Sequence, residues 1–372
     1  MALDIKKASI PSLDGKVALI TVYWSPTSWF YIYPIYSLPS IDPRHDEWHV
    51  VSAYQLAKNH LKTGASSGIG LATAKLLLER GATVHAVDRN KPDDEQEPDW
   101  EDWEEFYVHR ADVTDWAALR QVFDAIKHVD YVFANAGVSD VGRSFLDDQL
   151  DCDGQLLEPL SDYKVLDVNL RAVLNTIKLA HHKMRKSNTK GSIVITGGSG
   201  GYWVDPLVPI GSVSWNAQLG IVRVLRNVLE KDDITINAVS PGATVTKMVP
   251  FRPVIAWMKY DLPLSKAEDV ALALVYSATA RQDRRVETYG DEPESALMVE
   301  GRWNGRVIQV LGDKFREIEQ PLVECREAWF GEEFTRLTKA QQEATDVTSR
   351  KARIRMDSCD ESISTGDESS EA

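Results

Sequence analysis

The run Thr63-Gly64-Ala65-Ser66-Ser67-Gly68-Ile69-Gly70 limits the possible folds more than any other stretch of the chain. It opens a helical pattern from Leu71 to Arg80, and Gly81-Ala82-Thr83-Val84-His85-Ala86-Val87-Asp88 follows it. That order is a glycine-rich turn, a helix, then a short buried strand ending in a carboxylate. Gly64 permits the tight turn. Gly68 lets the backbone approach a pyrophosphate, and Gly70 lets the helix pack closely on a sheet. The helix N-terminus then offers free N–H groups to phosphate oxygens. A glycine loop alone is weak evidence, but this spacing with an acid about 20 residues on is the pattern of a dinucleotide site.

A chain of 372 residues with 43% hydrophobic content can bury a substantial core. Apolar strands are expected at Lys16–Thr21, Thr83–Val87, Phe106–His109, Tyr131–Ala134, Ser192–Thr196, Thr235–Val239 and Arg306–Leu311. Helical patterns lie between them at Trp116–Lys127, Tyr163–Met184 and Val213–Leu229. Strands alternating with helices imply an α/β fold, a Rossmann-type doubly wound parallel sheet of about seven strands covered on both faces.

Two segments break this rhythm. Val22–Lys62 separates the first strand from the glycine turn, is rich in aromatics, and is broken by Pro26, Pro34, Pro39 and Pro43. Loops in α/β units usually run about 2–6 residues. Excising the segment would rejoin the strand KVALI with TGASSGIG, so an in-frame retained intron is the simplest reading, and a surface excursion the alternative. From Thr338 the chain turns polar, and residues 338–372 are expected to be a disordered acidic tail. The domain expected is therefore residues 1–337 with the 22–62 insertion.

Cys152, Cys325 and Cys359 lie far apart without metal-type spacing, so neither a disulfide framework nor a metal site is expected. Met1–Leu13 lacks the apolar core of a signal peptide and no apolar run is long enough for a bilayer, so a cytoplasmic protein is expected. The net charge of −14 and the absence of a basic cluster argue against nucleic acid. Lys91–Glu105 holds nine acids and one lysine. As a loop after Asp88 it would disfavour an additional phosphate beside the adenosine end of a dinucleotide.

Together, five ordered motifs resemble the short-chain dehydrogenase/reductase family over roughly Leu13–Leu311, with a softer similarity to fungal members acting on small natural products. Thr63–Gly70, with Thr63, Gly64, Ser66, Ser67, Gly68, Ile69 and Gly70, resembles the cofactor loop. Asp112-Val113 resembles the pair that contacts adenine, and Asn135-Ala136-Gly137 the motif closing the fourth strand. Val168-Asn169 resembles the helix asparagine that joins the proton relay. Pro241-Gly242-Ala243-Thr244-Val245-Thr246 resembles the loop after the sixth strand, where Thr246 would contact the nicotinamide carboxamide. The resemblance implies an NAD(P)-dependent oxidoreductase that pairs into dimers or tetramers through the helices near Tyr163–Met184 and Val213–Leu229. Asp88, able to hydrogen-bond the ribose hydroxyls and repel a 2′-phosphate, favours NAD. Arg89 and Lys91 could instead pair with that phosphate, which leaves NADP open.

The family's serine, tyrosine and lysine fall on Gly198, Gly211 and Trp215. Glycine has no proton to give, and an indole carries no charge to lower a neighbour's pKa. General acid–base catalysis contributes about 10²–10⁴-fold, and this arrangement forfeits its usual source. Ser199, one residue late, could point at a substrate or be a turn residue; Tyr202 reads as pocket wall and Ser212 as a helix cap. The apolar Val249–Leu264 suggests a greasy ligand or an ordinary packed lid. Two readings follow: an oxidoreductase for a small apolar hydroxyl, carbonyl or imine compound with a non-standard relay, or a cofactor-binding protein without redox activity.

Overall fold

The computed structural model describes residues 1–21, 68–90, 103–140, 145–203, 205–206, 208–246, 248, 258–288, 292 and 294–345. The insertion Val22–Lys62, the acidic loop up to residue 102 and the chain from residue 346 on lie outside the described residues.

Seven strands run parallel: β2 (Val17–Thr21), β3 (Thr83–Asp88), β4 (Phe106–Arg110), β5 (Tyr131–Ala134), β6 (Ser192–Thr196), β7 (Thr235–Pro241) and β10 (Val307–Leu311). Their spatial order is β4-β3-β2-β5-β6-β7-β10. Each expected strand is present within a residue or two of its expected ends. The sequences VALIT and SIVIT are continuously apolar or small because both faces of a parallel sheet are covered, and the buried Asn237 of TINAVSP is satisfied by the Ser277 and Trp303 carbonyls.

The alternation of strand residues feeds two cores. Leu19, Ile193 and Ile195 point to one, with Leu119 and Phe123 of α2 (Trp116–Ala125), Ile177 and Met184 of α4 (Ala172–Lys186), and Leu219 and Val222 of α5 (Pro209–Leu229). Ala18, Ile20 and Val194 point to the other, with Ala74 and Leu77 of α1 (Gly68–Glu79) and Val270 and Leu274 of α6 (Ala267–Thr279). Truncating a fully buried member such as Leu19 to alanine should cost about 2–5 kcal/mol. Ahead of α4, the helix α3 (Leu160–Leu166) passes through a π-turn at Asp167–Arg171 that holds Asn169.

Beside the seven parallel strands, two antiparallel strands extend the edge of the sheet to nine among the described residues. A two-residue turn, Gly312-Asp313, reverses β10 into β11 (Lys314–Glu317), which pairs in turn with β1 (Ala2–Leu3). Gly312 takes φ +60°, a left-handed conformation suited to such a turn. A small two-stranded sheet joins β8 (Arg281–Gln282) to β9 (Gly301–Arg302).

The chain falls into two compact units. The sheet and its helices occupy Met1–Gln282 and Gly301–Ile318; the second unit takes Asp283–Glu300 and the chain from Glu319. Within the second unit, Arg284 bridges Glu287 and Glu294 at 3.0 and 2.7 Å, and Phe330 meets Trp329 at a tilt and Phe334 in a T-shaped contact. Its helices are α7 (Glu294–Leu297), α8 (Glu319–Glu324), α9 (Arg326–Phe330) and α10 (Glu332–Thr345). The last runs beyond Thr338, so ordered structure extends past the expected start of the tail. Burial of Thr335 and Lys339 explains this, since it gives a mostly polar helix one anchored side.

Candidate cofactor and active site

The strand order reverses between β2 and β5, and open α/β sheets bind ligands outside the carboxyl ends of their strands at such a point. Thr21 ends β2 there. Its hydroxyl donates to the Phe133 carbonyl (3.3 Å) and accepts from the backbone N–H groups of Asn135 (3.1 Å) and Ala136 (3.4 Å). This one side chain fastens the turn after β5 to the end of β2. Asn135 Oδ1 in turn accepts from Thr196 Oγ1 at 2.9 Å, tying in the end of β6.

Gly68 opens α1 with φ +56°, a conformation that penalises a β-carbon. A β-carbon there would also stand 2.8 Å from Thr246 Cγ2. The glycine turn and the loop after β7, some 180 residues apart in sequence, therefore meet at the switch point. That convergence suits a dinucleotide: a helix N-terminus without side-chain bulk faces the threonine expected at the nicotinamide end. Ile69 and Gly70 follow in the first turn of α1, while Thr63, Gly64, Ser66 and Ser67 lie outside the described residues.

Asp88 ends β3 and is buried, its Oδ1 accepting the Asn90 N–H at 2.9 Å. Arg89 follows it, and its carbonyl accepts from Arg110 Nε at 3.3 Å. Asp112 Oδ1 accepts from the Thr114 N–H (2.9 Å) and hydroxyl (2.7 Å), which shapes the turn after β4 and buries Val113. Pro241 closes β7, the Gly242 N–H bonds the Val310 carbonyl at 2.8 Å, and Thr244 Oγ1 bonds the Gly242 carbonyl at 3.0 Å. All these residues stand at the same end of the sheet.

Asn169 serves as a strut. Its Oδ1 accepts the Val138 N–H (2.8 Å), and its Nδ2 donates to the Val138 carbonyl (2.9 Å) and to Ser214 Oγ (3.3 Å). Ser214 donates to the Gly211 carbonyl at 2.6 Å. The Asn169 carbonyl accepts from Gln218 Nε2 at 2.5 Å. The asparagine thus links the turn after β5, through Gly137 and Val138, to α5.

Around Gly198, Gly200 and Gly211 the space is filled by two large or charged side chains. The Trp215 indole lies over Gly198 and Gly200: β-carbons at those positions would stand 2.6 and 2.7 Å from its ring. At Gly211 a β-carbon would stand 2.9 Å from Asp140 Oδ2 and 3.5 Å from the Trp215 ring. Asp140 was not foreseen from the sequence. It is 8% exposed, and its two carboxylate oxygens accept the N–H groups of Ile210 and Gly211, each at 2.9 Å. The local reason is plain. Val208 at the start of α5 provides no side-chain cap and Pro209 has no N–H, so the next two orphan donors need an acceptor from elsewhere. The signal available in the sequence was a lone acid five residues after Asn135. Ser199 sits half-buried in a 3₁₀ turn, its carbonyl accepting from the N–H groups of Tyr202 (3.0 Å) and Trp203 (3.1 Å). Ser212 Oγ, on the first turn of α5, is buried without a hydrogen-bond partner among the described residues.

A family model described as short chain dehydrogenase matches residues 58–253. The chain belongs to the short-chain dehydrogenase/reductase family. Short-chain dehydrogenase/reductase ATR7 of Stachybotrys chlorohalonatus is 46% identical over 308 residues, covering 82% of this chain and 92% of the relative. Short-chain dehydrogenase/reductase prx4 of Penicillium rubens is 39% identical over 345 residues, covering 93% and 89%. Among solved structures, a 3-ketoacyl-(acyl-carrier-protein) reductase from Brucella melitensis complexed with NADH superposes with a TM-score of 0.52 at 20% identity, covering 81% of this chain and 98% of that one. A short chain dehydrogenase from Leptospira borgpetersenii with bound NAD+ gives 0.52 at 17%, covering 74% and 89%. At such identities these likenesses show the Rossmann-type fold. Among the described residues no helix is long and apolar enough to cross a membrane, and no cluster of three or more His, Cys, Asp or Glu side chains is placed to hold a metal ion.

Proposed function

We propose that this chain is an NAD(P)-dependent oxidoreductase acting on a small apolar hydroxyl, carbonyl or imine compound through a non-standard proton relay. The observation that carries the reading is the meeting of Gly68 and Thr246 at the switch point. Gly68 to Gly70 would hold the pyrophosphate, Asp88 the adenosine ribose, and Thr246 the nicotinamide end. When bound, the dinucleotide supplies hydride transfer, which needs a well-placed ring and substrate. The chain's own part is to position both and to handle the proton.

NAD is the favoured cofactor, with NADP second. Asp88 is a buried carboxylate at the strand end, where a 2′-phosphate would meet like charge. The NADH and NAD+ bound by the two structural neighbours agree with that choice. Calorimetric titration with NADH and NADPH tests it: NADH should bind more tightly, and tighter NADPH would reverse the assignment. A second reading, cofactor binding without redox chemistry, draws on the replacement of the relay by Gly211 and Trp215.

The partner is a small molecule. Pairing of copies through α4 and α5 would cover Leu174, Val213, Val224 and Val228, which are exposed on those helices. A cytoplasmic location agrees with the free, exposed thiols of Cys152 and Cys325.

A further inference from the structure

Asp140 and Trp215 flank Gly211 from two directions, the carboxylate from the turn after β5 and the indole from one turn further along α5. Two glycines approach the indole closely, Gly198 at its Cδ2, Cε2 and Cζ2 atoms and Gly200 at its Cε3 and Cζ3 atoms. Neither glycine could carry a side chain while the ring is there. Three residues without side chains thus adjoin one large aromatic ring and, at Gly211, one carboxylate, at the end of the sheet where the strand order reverses. Asp140 spends one hydrogen bond per oxygen on α5, and each carboxylate oxygen can accept a second.

We propose that Trp215 and Asp140 form the substrate seat. The indole bears a flat apolar ring, and Asp140 accepts the hydrogen of a hydroxyl group on or beside that ring. The substrate class is therefore a cyclic or aryl-bearing secondary alcohol and its ketone. In the oxidation direction the carbinol C–H bond breaks, and its electron pair leaves as hydride to the nicotinamide of NAD+. The O–H bond breaks with it, its proton passes to the Asp140 carboxylate, and the C=O bond forms. Reduction runs the same steps backward, with the protonated carboxyl returning the proton. The proton step rests on the oxidoreductase reading; recognition of the hydroxyl does not.

The test uses 1-indanol and 1-indanone as probes, titrated calorimetrically into the full chain with and without NAD+. The two share a flat ring and differ in one donor hydrogen. The unaltered protein should bind 1-indanol about tenfold more tightly than 1-indanone, the usual scale for a hydrogen bond to a charged acceptor. Asp140→Asn keeps the size of the cap but sets an amide NH2 against one of the two N–H donors that Asp140 satisfies. It should therefore reduce that ratio to near one while lowering the melting temperature, and the titrations are run well below that temperature. Trp215→Leu should weaken both probes together, and it provides an independent arm if Asp140→Asn does not fold. An indanol preference that survives Asp140→Asn, or no binding of either probe to the unaltered protein, would overturn the seat. NADH formation from 1-indanol separates the two readings. Asp140-dependent binding without NADH sinks the oxidoreductase reading and leaves the seat; NADH formed with the preference untouched by Asp140→Asn does the reverse.

Discussion

The Trp215 indole lies so close to Gly198 that a β-carbon there would stand 2.6 Å from its ring. A large residue at 215 therefore requires the smallest at 198. The same holds for Gly211 and Asp140, where a β-carbon would meet Oδ2 at 2.9 Å. A tyrosine at 211 would have to displace Asp140 Oδ2 from the Gly211 N–H.

That coupling is measurable. Gly198→Ala should destabilise the fold by about 1–3 kcal/mol through overpacking. In a Trp215→Ala background the same change should cost little, giving a coupling of about 1 kcal/mol or more in a double-mutant cycle followed by urea unfolding. Strict additivity would mean that the two residues do not touch.

His85 and His109 predict an acid-sensitive edge of the sheet. Their Nδ1 and Nε2 atoms are 2.9 Å apart across β3 and β4, a bond that needs one donor and one acceptor. Burial, and then His109, pulls the His85 pKa down from 6.5 to about 4, and burial lowers that of His109 too. A depressed folded-state value means that protonation favours unfolding. The stability is complete above pH 6.5 and is lost as the pH falls from there toward 4. Melting temperatures between pH 7.5 and 4.5 should fall less steeply in His85→Gln than in the unaltered chain. Equal slopes would remove His85 from the account.

Much of the sheet could be read from the sequence because a parallel strand covered on both faces shows as a bare apolar run, as in Ile193–Ile195. The edge could not. β11 is a short KFRE stretch whose identity depends on the turn at Gly312-Asp313 and on pairing with β1 from the other end of the chain. The cofactor motifs were legible because tight turns and helix starts need particular residues in order. The packing of Trp215 and Asp140 around the glycines was not legible. Compensation between Gly198 and Trp215, and between Asp140 and residues 70 or more positions later, exists in volume and hydrogen bonding and leaves no periodic trace.

The segment Val22–Lys62 is expected to be dispensable. β2 ends at Thr21 in the middle of the sheet and α1 begins at Gly68, while the family match begins only at residue 58. Deletion of residues 22–62 would join Thr21 to Thr63 through a connection of ordinary βα length. The shortened chain should fold with an equal or higher melting temperature, and the mature transcript should lack the segment. A transcript that retains it, with loss of folding on deletion, would show that the segment is needed.

Asp88→Ala should relax the choice between dinucleotides. Removing the carboxylate removes its hydrogen bonds to the ribose and its repulsion of a 2′-phosphate. NADH should weaken and NADPH should gain, narrowing their affinity ratio by about tenfold in paired calorimetric titrations. An unchanged ratio would place discrimination elsewhere in the site.

The most direct test of redox function follows a label. The full chain is incubated with NADH deuterated at the transferable position and a panel of aryl ketones and cyclic imines, and the products are examined by mass spectrometry. Deuterium appearing at the reduced carbon of at least one product, and lost when Gly68→Val closes the cofactor turn, is the predicted result. Tight binding of NADH with no deuterium in any product would contradict it.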